Sequence, residues 1–296
     1  MQKNLKIHGN VLIKCLNPNI TSIAIPYGIR IIEECAFAGC KQLKSIILPE
    51  SIEIIKNRAF CDCTKLTSIN LPDSILFIDD FAFRSCKSLT SIRIPNQVTM
   101  VSMGTFYGCE NLTSVVLGNN ISTININAFS SCYNLKEINF PDNLFKIGHC
   151  AFTHCRNLNK IFINNSSQLK YIGDSSFYDY NKNANNEEIK GPIIAYKGFK
   201  SDLTCREFQY EIGKNYHLDD PKLCVKGFHA CLNPLEIFNY YSGTIQKDFR
   251  ICKVLLSGII ISNGYSTKVV ASDIEILEEL TIPELILEFN ENNLFL

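Results

Sequence analysis

The chain of 296 residues lacks net charge, since 29 lysines and arginines meet 29 aspartates and glutamates. Proteins held to a polyanion need a surplus of basic side chains, so nucleic acid and anionic membrane surfaces are not the expected partners. It also lacks an apolar run of about 18 residues, so no membrane span is expected. The opening Met1-Gln2-Lys3-Asn4-Leu5-Lys6-Ile7-His8-Gly9-Asn10 has no uninterrupted apolar stretch of the kind a signal peptide carries, which points to the cytoplasm. Fourteen cysteines include no C-x-x-C pair. With neither small size nor an export signal to favour disulfides, buried reduced thiols are expected, and disulfides between neighbouring repeats are the alternative. The 46% hydrophobic content is enough for one large core or two smaller ones.

What the chain has instead is periodicity. Pro26, Pro49, Pro72, Pro95 and Pro141 stand on a 23-residue step, with Gly118 where a further proline would fall. Phe37, Phe60, Phe83, Phe106, Phe129 and Phe152 keep the same step, as do Cys40, Cys63, Cys86, Cys109, Cys132 and Cys155. Leu43, Ile46 and Leu48 recur in register in every unit, and the spacing of the last two is that of a short strand. No single unit can bury so apolar a face, but stacked units bury it in continuous ladders. The proline lacks a donor and has a fixed backbone angle, so it ends the strand and turns the chain out of the sheet. Phenylalanine is expected to fill the broad side of each coil, and cysteine to act as a small buried hydrophobe.

The pattern L-x-x-I-x-L-P-x-x-I-x-x-I-x-x-x-A-F-x-x-C resembles the bacterial surface antigen-like class of leucine-rich repeats over residues 21–178. The resemblance implies an α/β-type leucine-rich repeat solenoid with 23-residue coils and short parallel strands on its concave side. Residues 1–20 read as a capping half-repeat. Leu169, Ile172 and Phe177 continue the order two residues late, as a terminal coil does.

Residues 179–189 are polar, asparagine-rich and aperiodic, and read as a linker. Residues 190–296 read as a small α+β domain. Strands are expected over 193–199, 205–216, 223–231, 250–261 and 267–277. A short helix is expected over 235–241, started by Asn233 and Pro234. The stretch K-G-F-x-x-D-L-x-C-R-x-F-Q-Y-E-x-G-K-x-Y, followed by L-C-x-x-G-F-H-x-C-x-N-P-L-x-x-F-x-Y-Y, resembles a domain of unknown function seen in phage and bacterial proteins.

Three readings of that domain stand side by side. The order of its landmarks resembles ADP-ribosyltransferase-like folds, which implies NAD as cofactor and makes Lys197, His229 and Glu275 the catalytic candidates. Lys197 departs from the Arg or His that such enzymes carry on an early strand. A second reading is metal binding by Cys224, His229 and Cys231, with Cys205 or Cys252 as a fourth ligand, although their spacing matches no zinc knuckle. The third is an accessory domain that binds a partner, with Glu207, Tyr210 and Glu211 on its surface.

On the solenoid, the row between the inward ladders faces out, and it holds Ala24, Ile47, Asn70, Arg93, Val116, Asn139 and Phe162. Beside it runs a monotonous row of serines. Exposed apolar residues around an arginine suit a protein interface, so Ile47, Asn70, Arg93, Val116, Asn139 and Phe162 are the expected partner-binding residues. The expected function is a protein-recognition scaffold with an accessory or effector domain, needing no cofactor or metal. The alternative is an NAD-dependent transferase whose solenoid selects the target.

Overall fold

The computed structural model describes residues 4–164, 168–178, 187–189, 192–205, 208–222, 226–240, 249–262 and 267–292. The chain divides into two compact units, Met1–Tyr178 and Asp179–Leu296.

The first unit is a solenoid opened by an antiparallel hairpin, β1 (Leu5–His8) and β2 (Val11–Cys15). Each coil then contributes two short strands. The first is β3 (Ser22–Ala24), β5 (Ser45–Ile47), β7 (Ser68–Ile69), β9 (Ser91–Arg93), β11 (Ser114–Val116), β13 (Glu137–Asn139) or β15 (Lys160–Phe162). The second is β4 (Ile31–Ile32), β6 (Ile54–Ile55), β8 (Phe77–Ile78), β10 (Met100–Val101), β12 (Thr123–Ile124), β14 (Lys146–Ile147) or β16 (Tyr171–Ile172). All of these pair in parallel with the equivalent strand of a neighbouring coil, and β2 joins them by pairing with β4. The first strands form stacks of three and four, and so the repeat reads directly as sheet register: Ser22 faces Ser45, and Ser91 faces Ser114.

The phenylalanines of the comb are all buried and so are its cysteines up to Cys132, while Cys155 and the prolines Pro26, Pro49 and Pro141 are half-buried. Rings from Phe37 to Phe152 stack coil upon coil with centroids 5.2–5.6 Å apart. Phe177 continues the column 5.3 Å from Phe152, so the two inserted residues are absorbed before the ring. The carbonyls of Pro49, Pro72, Pro95 and Pro141 each accept a hydrogen bond from the amide three residues on, as from Ile52 to Pro49 at 3.1 Å, which closes the turn out of the sheet. Gly118 accepts in the same way from Ile121 at 3.1 Å. The thiols do more than fill space. Cys63, Cys86, Cys109, Cys132 and Cys155 each donate to the carbonyl of a phenylalanine 26 residues earlier, at 3.1–3.3 Å. All described cysteines are free thiols, and burial pushes that of Cys109 up to about 12.

Two columns of left-handed backbone run beside the phenylalanines. Cys35, Arg58, Phe81, Asn127 and Cys150 have φ of 52–57°, and Asp62, Ser85, Ser131 and His154 have φ of 57–62°. Such a backbone costs a non-glycine residue about 1 kcal/mol. It persists because the turn it creates aims amides at the next coil, as from Phe60 to Ala82 at 2.8 Å and from Arg58 to Asp80 at 3.0 Å.

The second unit is β-rich with little helix. Its strands are β17 (Glu187–Ile189), β18 (Ile193–Lys200), β19 (Thr204–Cys205), β20 (Phe208–Gln209), β21 (Asn215–His217), β22 (Phe228–Cys231), β23 (Phe249–Ser262) and β24 (Lys268–Leu280). The antiparallel pairings β23–β18, β18–β22, β22–β24 and β24–β23 close on themselves, so four strands make a small barrel-like ring. β17 and β21 extend it, and Ala195, Phe199, Val254, Leu256, Val269 and Ile274 belong to its core.

Three expectations change here. Glu187–Ile189, at the end of the expected linker, pair with β23, and residues 179–186 lie outside the described residues. The strand expected over 205–216 is broken into the small hairpin β19–β20 and the edge strand β21, the chain turning between them at Gly213, where φ is +78°. The helix begun by Asn233 and Pro234 is a 3-10 helix, Pro234–Asn239, whose Asn233 side chain accepts from the Leu235 amide at 3.0 Å. A final α-helix, α1 (Ile282–Asn292), lays Leu285 and Ile286 inward.

Candidate functional site

Two places carry candidate residues, one in each unit. On the solenoid, the side chains of the first strands alternate in and out. Ile46, Ile92, Val115, Ile138 and Ile161 are buried, while the residue on either side is exposed. Ala24, Ile47, Asn70, Arg93, Val116, Asn139 and Phe162 are therefore all exposed on one face. Ile47 stays 69% exposed, Val116 55% and Phe162 42%. Register places Val116 beside Arg93 and Asn139 beside Phe162. Arg93 gives one guanidinium nitrogen to Asp73 at 2.7 Å, which holds the arginine on that face. Lys160 lies 4.8 Å from the ring centroid of Phe162.

In the second unit, a cleft of about 830 Å³ opens beside β18 and β22. The pairing of Tyr196 with Cys231 brings these strands together. Lys197 is 3% exposed, and its ammonium donates to the His229 carbonyl at 2.8 Å. It also lies 5.5 Å from the ring centroid of Phe199 and 6.0 Å from that of Tyr210, two cation–π contacts in a desolvated place. Lys197 and His229 thus meet at one wall, with the His229 Nδ1 3.0 Å from the Gly227 carbonyl.

The hairpin β19–β20 brings a cluster of rings to this wall. Phe208 is 4.6 Å from Tyr210 and 5.3 Å from Tyr216. Tyr210, expected on the surface, is buried against Phe199 at 5.0 Å, and burial pushes its phenol above the usual range. Lys200, Lys226 and Lys268 also line the cleft. Asp202 is the carboxylate among its described lining residues; the Thr204 amide and hydroxyl bind it at 2.9 and 2.7 Å and lower its pKa.

The rim holds a group that sequence reasoning passed over. His217 pairs with Asp273 across β21–β24, Nδ1 to Oδ1 2.6 Å apart, and its Nε2 lies 3.1 Å from Asp219. The hydrogen bonds to Asp273 and Asp219 raise its pKa above the ordinary 6.5. Burial works to raise the Asp273 carboxyl, but bonds from Ser272 and His217 and the imidazolium charge carry it below 3.8. No motif marks this pair; only the strand register joins residues 56 apart.

Glu275 is not brought to Lys197 and His229. It stands on β24 opposite Asn215 and Leu255, outside the cleft's lining. Of the candidate metal set, Cys224 lies outside the described residues, as does Glu207, and among the described residues no three potential ligands converge. Cys231 is buried on β22, and burial raises its thiol pKa well above the ordinary 9.0.

Residues 14–134 and 99–191 match the BspA type leucine rich repeat region, in six copies. Residues 193–288 match a domain of unknown function, DUF7666. Among solved structures, a leucine-rich repeat protein from Bacteroides ovatus is 36% identical with a TM-score of 0.50, over 52% of this chain and 40% of that one. The T. pallidum leucine rich repeat protein is 27% identical with a TM-score of 0.52, over 56% of this chain and 81% of that one. The chain therefore spans well under half of the Bacteroides ovatus protein. No curated protein matches it.

Proposed function

Since the chain belongs to the BspA-type leucine-rich repeat family, we propose that it recognises another protein through the outward face of its first strands, with the second unit as an accessory domain. The observation that carries this reading is the exposed row Ile47, Val116 and Phe162, interleaved with Asn70, Arg93 and Asn139. An interface core favours large apolar side chains and arginine, and strand spacing of about 4.8 Å sets neighbouring row members within reach of one partner surface. Arg93 is pre-positioned by Asp73, which reduces the ordering cost of binding. The test uses the full chain as bait beside its Arg93→Glu and Phe162→Asp variants. Loss of the same partners from both variants supports the reading, and an unchanged partner profile overturns it.

A second reading rests on the shared cleft of Lys197 and His229: NAD-dependent ADP-ribosyl transfer onto a target that the solenoid selects. With Glu275 outside the cleft, such a transfer has no carboxylate from that position to polarise the ribose hydroxyl. Incubation with labelled NAD and a lysate decides it, and absence of any labelled protein removes it.

A further inference from the structure

The second strands of the solenoid have an outward face that the recognition reading leaves unused. In β4, β6, β8 and β10 the second residue is buried and the first faces out. Ile31 pairs with Ile54 and Ile54 with Phe77, and Met100 follows on the next coil. These side chains form an apolar stripe, widened by Leu76. Ile31 and Ile54 are half-buried, while Leu76, Phe77 and Met100 keep 49%, 38% and 36% of their surface exposed. Beyond Met100 the row turns polar, to Thr123 and to Lys146, whose ammonium lies 4.9 Å from the Tyr171 ring centroid.

Charged residues border the stripe on both sides of its first two coils. Before the stripe stand Arg30 and, one coil on, Glu53, joined by two bonds at 2.8 and 2.7 Å. After it stand Glu33 and, one coil on, Lys56, joined at 2.7 Å. The order of signs is therefore opposite on the two sides. These internal pairs leave bonding capacity over: Arg30 keeps its Nη1, Glu33 its Oε2, and the Lys56 ammonium its remaining hydrogens.

A partner of one charge would meet like charge at half of this border. The surface that opposes every sign is the same border turned over. A two-fold axis along the stripe lays Ile31, Ile54, Phe77 and Met100 against the same residues of a second copy. It also sets Arg30 opposite Glu33, and Glu53 opposite Lys56, of that copy. Asp79, third in its border, then lies opposite Leu76 and is left unmatched. With 29 basic and 29 acidic side chains, two copies approach without net repulsion. We propose that the solenoid forms a two-fold dimer through the outward face of β4, β6, β8 and β10. The row around Arg93 stands on other strands, so the dimer is independent of the recognition reading. The apolar contact is small beside the roughly 800 Å² per partner of a standard interface, so micromolar dissociation is expected.

Sedimentation equilibrium of the full chain from about 1 to about 200 µM reads the association. A reversible dimer is expected. A parent that stays monomeric over this range overturns the proposal and leaves the stripe to another protein. Phe77→Asp is expected to weaken the dimer at least about tenfold, and Phe162→Asp, on the recognition row, to leave it unchanged. Asp79→Asn is expected to shift the dissociation constant downward. The charge border has its own test. Arg30→Glu/Lys56→Glu makes it wholly acidic, and Glu33→Lys/Glu53→Lys wholly basic. Each variant alone is expected to stay monomeric, and an equimolar mixture to restore a dimer with one copy of each. Circular dichroism confirms that every variant is folded. A folded Phe77→Asp variant that dimerises as the parent does, a dimer lost in Phe162→Asp, or a mixture that stays monomeric would each overturn the proposal.

Discussion

Single residues in this chain take their meaning from the residue 23 positions away. Gly118 is the plainest example. A Cβ built there would lie 2.5 Å from the Pro95 carbonyl oxygen and 2.9 Å from its carbon, so the backbone of the preceding coil occupies the space of a side chain. Five other coils carry proline at this tooth, and a consensus argument would restore it. The opposite result is expected: Gly118→Ala destabilises the solenoid by about 1–3 kcal/mol, and Gly118→Pro by more, because backbone rather than a flexible side chain must move. Urea unfolding of both variants against the parent measures it, and a gain in stability would refute the packing described here. The left-handed columns teach the converse. Cysteine, arginine, phenylalanine, asparagine and serine all occupy them, so residue type alone does not reveal a backbone that the stacked turns impose.

At the scale of elements, periodic and aperiodic strands differ in how much of them can be read. The first strands of the solenoid follow from alternation at Ser45-Ile46-Ile47 and its repeats, and their register follows from the period itself. In the second unit the long strands β23 and β24 are legible as β-branched runs and β18 as the run 193–199, whereas the break of 205–216 into the hairpin β19–β20 and the edge strand β21 is not. The start of α1 carries a local signal: Thr281-Ile282-Pro283-Glu284 is a capping box, with Glu284 accepting from the Thr281 amide at 2.7 Å. The edge strand β21 is held partly by His217 and Asp273, and this contact has a defined pH window. The His217 pKa is raised in the folded state, so its contribution is complete below about 6.5 and disappears as pH rises through the folded value. The Asp273 pKa is lowered, so its contribution is present above about 3.8 and is lost as pH falls through the folded value. The pair is therefore strongest between these limits. A proton NMR titration is expected to place the His217 midpoint above 6.5 and to return it toward 6.5 in Asp273→Asn. An unchanged midpoint in that variant would show that the carboxylate is not its partner in solution.

The whole molecule comprises two units with different physics. In the solenoid each coil contacts its neighbours, so stability accumulates along one dimension. The second unit closes a ring of antiparallel strands in which Lys268 meets Cys231 and Ile193 meets Leu256. Separate cores, Met1–Tyr178 and Asp179–Leu296, are expected to give two calorimetric transitions. A substitution such as Gly118→Ala should lower only one of them. A single transition that shifts as a whole would show that the units unfold together.

The sequence by itself determined the coil length, the inward ladders and the exposed row around Arg93. A fixed period makes every coil's neighbour another copy of the same pattern, and local alternation then decides which side chains point out. Only the tertiary structure decided that Lys197 and His229 share a wall, that Glu275 stands elsewhere, and that His217 meets Asp273. Those meetings depend on antiparallel registers between segments tens of residues apart, and no periodicity in the chain encodes them. The thiols of the comb lie between these cases. Their burial follows from the 23-residue step, but their hydrogen bonds to phenylalanine carbonyls of the preceding coil exist only once the coils are stacked.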